Sequence, residues 1–135
     1  MRGVKHKSHE EVTLLELVLQ LHGKFRSSLE TIRVTPLQAG VLLFLRRHAE
    51  ANMTNAAAAL RVRPPTLTDV VKDLVRKRWV TKRRSVTDTR VVHLRLSRRG
   101  KLLTRQIEQR VHQVSATLAE RDRKALGLTS KSQGG

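Results

Sequence analysis

The spacing of apolar residues along this chain is helical from residue 8 to residue 79, becomes that of a strand from Val80 to Leu96, and turns helical again after Ser97. A first helix is predicted to begin near Ser8, where Glu11 three residues later completes the pattern of a capping box. Leu14, Leu17, Val18, Leu21, Phe25, Leu29 and Ile32 carry its stripe to about Thr31, and Val12 and Leu15 widen it. Thr35 as cap, Pro36 in the first turn and Gln38 placed to bond back open a second helix. Leu37, Val41, Leu42, Phe44 and Leu45 make that helix largely buried, with its end near His48. Asn52 or Thr54 then caps a short helix through Ala56 and Ala59 to Leu60. Its alanines either let a second backbone approach closely, as the first helix of a helix-turn-helix requires, or simply form helix well.

Leu60, Arg61 and Val62 make a tight turn, and Pro64 and Pro65 fit only the first turn of the helix that follows. In it Leu67, Val70, Val71, Leu74 and Val75 recur at helical spacing, while Thr66, Thr68, Asp69, Lys72, Asp73, Arg76 and Lys77 form a polar, mainly basic face. Val80 to Arg84 is a short β-branched and basic strand, Ser85 to Asp88 a turn, and Arg90 to Ser97 alternates, with Val92, Leu94 and Leu96 on one side. These two strands make a hairpin. Ser97 caps a long helix carrying Leu102, Leu103, Ile107, Val111, Val114 and Leu118 to about Ala119. Glu120 to Leu126 is short enough for one further small helix, and the SKSQGG ending is polar and disordered in expectation.

Composition narrows the partner. Lys plus Arg number 28 against 11 Asp plus Glu, a net charge of +17 that exceeds what solubility needs and points to a polyanion. With 135 residues the chain makes one domain or one protomer of a dimer. The absence of cysteine excludes disulfides, thiolate metal sites and thiol-based sensing. Aromatic residues are 2% of the chain, so single-strand binding by base stacking has little to rest on, and Trp79 reads as a core or strand-junction residue. No apolar run reaches membrane-spanning length and no signal-peptide core is present, so a soluble protein of the cytoplasm is expected. His6 and His9 beside Glu10 and Glu11 are a weak metal signal; no metal and no cofactor is expected. No pair of catalytic groups or phosphate loop stands out, and an enzyme is the least favoured class.

A helix with an exposed polar N-terminal face followed by a basic two-stranded ribbon suits duplex DNA, with the helix in the major groove and the ribbon at the backbone or minor groove. The chain resembles the MarR family of winged helix-turn-helix transcriptional regulators. The resemblance lies in Thr66-Leu67-Thr68 opening the recognition helix, the exit from Leu74 to Val80, and the wing from Arg84 through Asp88 to Arg90. It closes with Leu94, Leu96, Ser97 and Gly100, where the family commonly shows Leu-Thr-x-x-Gly. It implies that Arg90 enters a minor groove and that Asp88 holds the wing's shape. The family's turn commonly has glycine where this chain has Arg61, often serine at Pro65, and often arginine at Asp69.

The expected fold is therefore α+β and mostly helical, a winged helix-turn-helix at residues 35–97. Helices at 1–34 and 98–126 form a dimerisation lobe, and a disordered tail covers 127–135. DNA contacts are expected from Pro65, Thr66, Thr68, Asp69, Lys72 and Arg76 on the recognition helix and from Lys82, Arg83, Arg84, Asp88 and Arg90 on the wing. Asp69 either accepts from a cytosine amino group or pairs with Lys72 or Lys77. Dimer contacts are expected from Leu14, Leu17, Leu21, Val111, Val114 and Leu118, since the first helix is either packed wholly on its own core or spends its surplus apolar width on a second copy. The family usually has a fuller C-terminal helix, so the interface should be reduced or rest mainly on the first and penultimate helices. The function implied is that of a homodimeric repressor released by a small-molecule effector, which no residue identifies. The alternative is a sequence-indifferent basic protein of chromatin or RNA, for which charge alone suffices.

Overall fold

The computed structural model describes residues 2–128, with side chains from residue 13 onward. The elements in order are α1 (Arg2–Glu30), α2 (Pro36–Arg47), β1 (Ala51–Asn52), α3 (Met53–Leu60), α4 (Pro64–Arg76), β2 (Val80–Arg84), β3 (Val92–Leu96), α5 (Arg98–Ala116) and α6 (Glu120–Ala125). The helix starts follow local chemistry. At α2, Thr35 Oγ1 accepts from Gln38 N at 3.1 Å while Gln38 Oε1 accepts from Thr35 N at 3.1 Å, a complete capping box. Asn52, and not Thr54, caps α3, its side chain accepting from Asn55 N at 2.7 Å. Pro64 and Pro65 occupy the first turn of α4, where their missing N–H groups leave no bond unmade.

One start differs from expectation. The backbone of α1 is helical from Arg2, so Ser8 lies inside the helix and does not cap it. A serine followed by glutamate three residues on is compatible with a helix interior, and Val4 to Lys7 contain no breaker to stop the helix there. The side chains of His6 and His9, like residues 129–135 of the expected tail, lie outside what is described.

The ends of α1, α3, α4 and α6 share one device. After α3, Val62 N donates to Ala57 O at 2.9 Å and Arg61 N to Ala58 O at 3.2 Å, the paired bonds of a Schellman ending, with Arg61 at φ 54. The same pair of bonds closes α1 around Arg33 at φ 59 and α4 around Arg78 at φ 64. Glycine is the usual occupant of such a left-handed position because it carries no Cβ to clash. Here three arginines take it, and only α6 ends on glycine, Gly127.

β2 and β3 form the expected antiparallel hairpin, with Val80 opposite Leu96 and Arg84 opposite Val92. A third strand was not anticipated: β1 pairs with the other edge of β3, Ala51 opposite Leu94 and Asn52 opposite His93, giving the order β1-β3-β2. The core lies between this sheet and α2, α4 and α5, where Leu42, Leu67, Leu74, Leu94 and Ile107 are fully buried. Thr104 is buried with them, its hydroxyl donating to Lys101 O at 2.6 Å and accepting from Arg46 Nη1 at 3.1 Å. Leu102, which the apolar stripe of α5 was expected to include, is exposed, because it sits about 100° around the helix from Leu103.

Outside this core α1 packs along α5 and α2, and Lys24 Nζ donates to Thr117 Oγ1 at 3.2 Å. Leu29 is buried at the base of α1, whereas Leu14, Leu15, Val18 and Leu19 are exposed. No helix of the described residues is long and apolar enough to cross a membrane.

Candidate nucleic-acid interface

The position of α4 is set from behind. Leu67, Val71 and Leu74 fix its buried face, and at 3.6 residues per turn Pro65, Asp69, Lys72 and Arg76 fall within about 60° on the opposite side. All four are exposed. Thr66 is exposed as well, and among the described residues its hydroxyl makes no bond. Thr68 is half-buried and its hydroxyl donates to Pro64 O at 2.9 Å, so it can offer an outside group only its lone pairs. Asp69 makes no pair with Lys72 or Lys77 among the described residues. The carboxylate that takes a helix cation is Asp73, one turn further on. Asp73 accepts from Arg76, holds Lys77 Nζ at 3.5 Å, and accepts from Gln38 Nε2 of α2 at 2.6 Å. Lys77 Nζ also stands 5.1 Å from the ring centre of Trp79.

The exit from α4 is locked by the start of α5. Ser97 N donates to Trp79 O at 3.0 Å, Ser97 Oγ donates to Arg78 O at 2.7 Å, and the same hydroxyl accepts from Gly100 N at 3.0 Å. Gly100 is buried against this turn, and a Cβ there would lie 2.1 Å from Trp79 O and 3.2 Å from Leu96 Cδ2. The Ser-x-x-Gly spacing thus has a steric reason. Only glycine lets α5 approach the carbonyl that orients the first residues of the wing.

On the wing, Lys82 and Arg84 alternate with Arg83, which stands beside His93 on the sheet's outer face. All three cations are exposed. Arg84 Nη1 donates to Thr89 O at 2.8 Å, bracing the loop. The tip is tied by Asp88: its N donates to Ser85 Oγ at 3.2 Å, its carbonyl accepts from Val91 N at 2.9 Å, and its Oδ1 accepts from both Arg90 N at 3.0 Å and Arg90 Nε at 3.2 Å. The Arg90 side chain is 89% exposed, so one carboxylate aims a guanidinium whose remaining donors face outward.

Of the apolar residues expected at a dimer interface, Leu14 is exposed and Leu17, Leu21, Val111 and Leu118 are half-buried. Val114 is buried within the single chain. Leu19, the most exposed of the α1 leucines at 63%, was not singled out from the sequence because it lies off the stripe that packs inward.

Two helices joined by a tight turn, the second presented outward and followed by a basic hairpin, define a winged helix-turn-helix protein. The model of the MarR family matches residues 34–91, which take in the helix-turn-helix, β2 and the loop of the hairpin. The chain is 27% identical over 90 residues to the HTH-type transcriptional repressor MdtR of Bacillus subtilis, covering 67% of this chain and 58% of that protein. Among solved structures it is similar to a mutant of MarR from E. coli complexed with operator DNA, with a TM-score of 0.75, 20% identity and 87% of each chain covered. It is also similar to BpsR of Bordetella bronchiseptica, whose DNA binding is regulated by 6-hydroxynicotinic acid, with a TM-score of 0.76, 18% identity and 86% of each chain covered.

Proposed function

We propose that this chain is a sequence-specific, double-stranded-DNA-binding transcriptional repressor that works as a homodimer in the cytoplasm and is not an enzyme. The observation that carries this reading is the wing tip, where Asp88 aims an exposed Arg90, in a chain whose α4 exposes Pro65, Asp69 and Lys72. A diffuse polycation needs no such aiming, because phosphate attraction alone is indifferent to direction. The N-terminal part of α4, Pro65, Thr66 and Asp69, meets base edges in the major groove, with Thr68 as an acceptor at its flank. Lys72 meets a phosphate, Arg76 being paired with Asp73, and Lys82, Arg83, Arg84 and Arg90 follow the backbone and minor groove. The domain organisation proposed is a DNA-binding unit over residues 35–97, flanked by the dimerising helices of 1–34 and 98–126. In the dimer Leu14, Leu17 and Leu21 meet a second copy together with Leu15, Val18 and Leu19, and Val111 and Leu118 complete the surface from α5 and the segment after it.

The similarity to BpsR, whose DNA binding is regulated by 6-hydroxynicotinic acid, supports an effector here too. A cleft of about 380 Å³ between α2, β3 and α5 is lined by Leu45, Ala49 and Leu96 together with Arg46, Arg95, Lys101 and Arg105, which suits an apolar anion. Selection of duplexes from a random library near physiological salt, then footprinting, tests the main reading. An inverted repeat with half-sites one helical turn apart is the expected product. Equal recovery of every duplex, with affinity falling steeply in salt, would return the chain to the class of sequence-indifferent basic proteins.

A further inference from the structure

We infer that Asp73 is a specificity-determining residue that withholds Arg76 and Lys77 from the phosphate backbone; this rests on the DNA-binding reading above. Its carboxylate, a quarter exposed, accepts from Arg76 and lies 3.5 Å from Lys77 Nζ, while its Oδ2 is held at 2.6 Å by Gln38 Nε2. Gln38 is itself buried and locked into the capping box of α2, so the carboxylate cannot swing away with the cations. The three charged groups of Asp73, Arg76 and Lys77 together amount to a single positive charge. The carboxylate's charge stays beside both cations, so a phosphate approaching either one meets a pair of reduced net charge and gains less than from a lone cation.

The consequence concerns selectivity. A chain of net charge +17 binds any duplex through counterion release, and specificity is the difference between right and wrong sites. Base readout is expected at the N-terminal turns of α4, and unrestrained cations at its C-terminal turn would strengthen every site alike. Asp73 removes that indiscriminate contribution at the one helix that reads bases. Asp69 makes no bond within the described residues and lies on the groove-facing side, so it cannot serve in this way.

The test uses the full chain and compares the parent with Asp73→Asn on a mixed-sequence duplex and on the duplex enriched by selection, by fluorescence anisotropy across a KCl series. Asparagine keeps an acceptor for Gln38 and removes the charge. The slope of log affinity against log salt for the mixed duplex should steepen by about 1 to 2, and its affinity should rise roughly tenfold near physiological salt. The preference for the selected duplex should fall correspondingly. Adding Arg76→Ala to Asp73→Asn should return about one unit of slope, whereas Arg76→Ala in the parent should change it little. Glu120→Gln on α6 makes the same charge change elsewhere and should keep the parental slope. Gln38→Met, which leaves the cations on Asp73, should lower the melting temperature and also keep the slope. An Asp73→Asn variant with parental slope and preference, on a parent that binds duplex, would overturn this inference alone. A parent that binds no duplex would overturn the DNA-binding reading and this inference with it.

Discussion

At the junction where α4 passes into β2 and β3 into α5, two backbone carbonyls, Arg78 O and Trp79 O, are both taken by Ser97, and Gly100 fills the space against them. At the wing tip the arrangement is reversed. Residues 85–90 are largely exposed and their shape depends on side chains, chiefly Ser85, Asp88 and Arg84. The first region holds its geometry by excluding alternatives, because there is no room for another atom. The second holds its geometry by a few bonds that water can compete for. The junction should therefore respond to substitution as stability and the tip as binding.

The largest effect expected is at Gly100. Gly100→Ala places a Cβ 2.1 Å from Trp79 O, which is backbone and cannot rotate away, so α5 or the α4 exit must shift. A loss of about 3 kcal/mol of folding stability is expected from the forced overpacking, read by thermal or urea unfolding. A variant that melts with the parent would break the contrast on the junction side. Next comes Arg90→Ala, which should weaken binding to the selected duplex roughly tenfold to a hundredfold and leave the melting temperature unchanged. If its affinity loss instead follows a loss of stability, the tip is structural and the contrast fails there. Ser97→Ala should cost about 1 kcal/mol of stability, since the cap of α5 and the bond to Arg78 O are lost together while the Trp79 carbonyl keeps its backbone donor. Its duplex affinity at temperatures well below melting should match the parent's.

The parts of this architecture legible in the sequence were those governed by neighbours a few residues apart. Thr35 with Gln38, the Pro64 and Pro65 pair, and Ser97 each announce a helix start because the bond or the missing donor is local. The alternation of Val92, Leu94 and Leu96 announced a strand for the same reason. β1 was not legible, since two residues have no period and their strand character comes wholly from Leu94 and His93 far along the chain. The link from Gln38 to Asp73 spans 35 residues, and sequence reasoning looked for the partner of a helix carboxylate only among cations one turn away. The burial of Thr104 was hidden similarly, because its compensating donor Arg46 arrives from α2.

Arg33 and Arg78 at the helix ends left no sequence signal either, because a left-handed residue is usually flagged by glycine, and Arg61, whose tight turn was expected, gives the smallest and most diagnostic prediction. Arg61 at φ 54 carries the cost of a Cβ in the left-handed region, about 1 to 2 kcal/mol. Replacing it by glycine removes that cost but adds roughly 0.5 to 1 kcal/mol of backbone entropy lost on folding. It also removes a cation from the negative end of α3, a loss of about 0.3 to 1 kcal/mol at low salt. These terms nearly cancel, so Arg61→Gly should melt within about 0.5 kcal/mol of the parent at low ionic strength. The charge contribution is screened by salt and the other two are not. Raising the salt should therefore make Arg61→Gly progressively more stable than the parent. Arg61→Ala, which keeps the Cβ and loses the charge, should be less stable than the parent at low salt and approach it as salt rises. If Arg61→Gly were less stable than the parent at every salt concentration, the strain of the left-handed turn before α4 would be smaller than the backbone entropy that glycine adds.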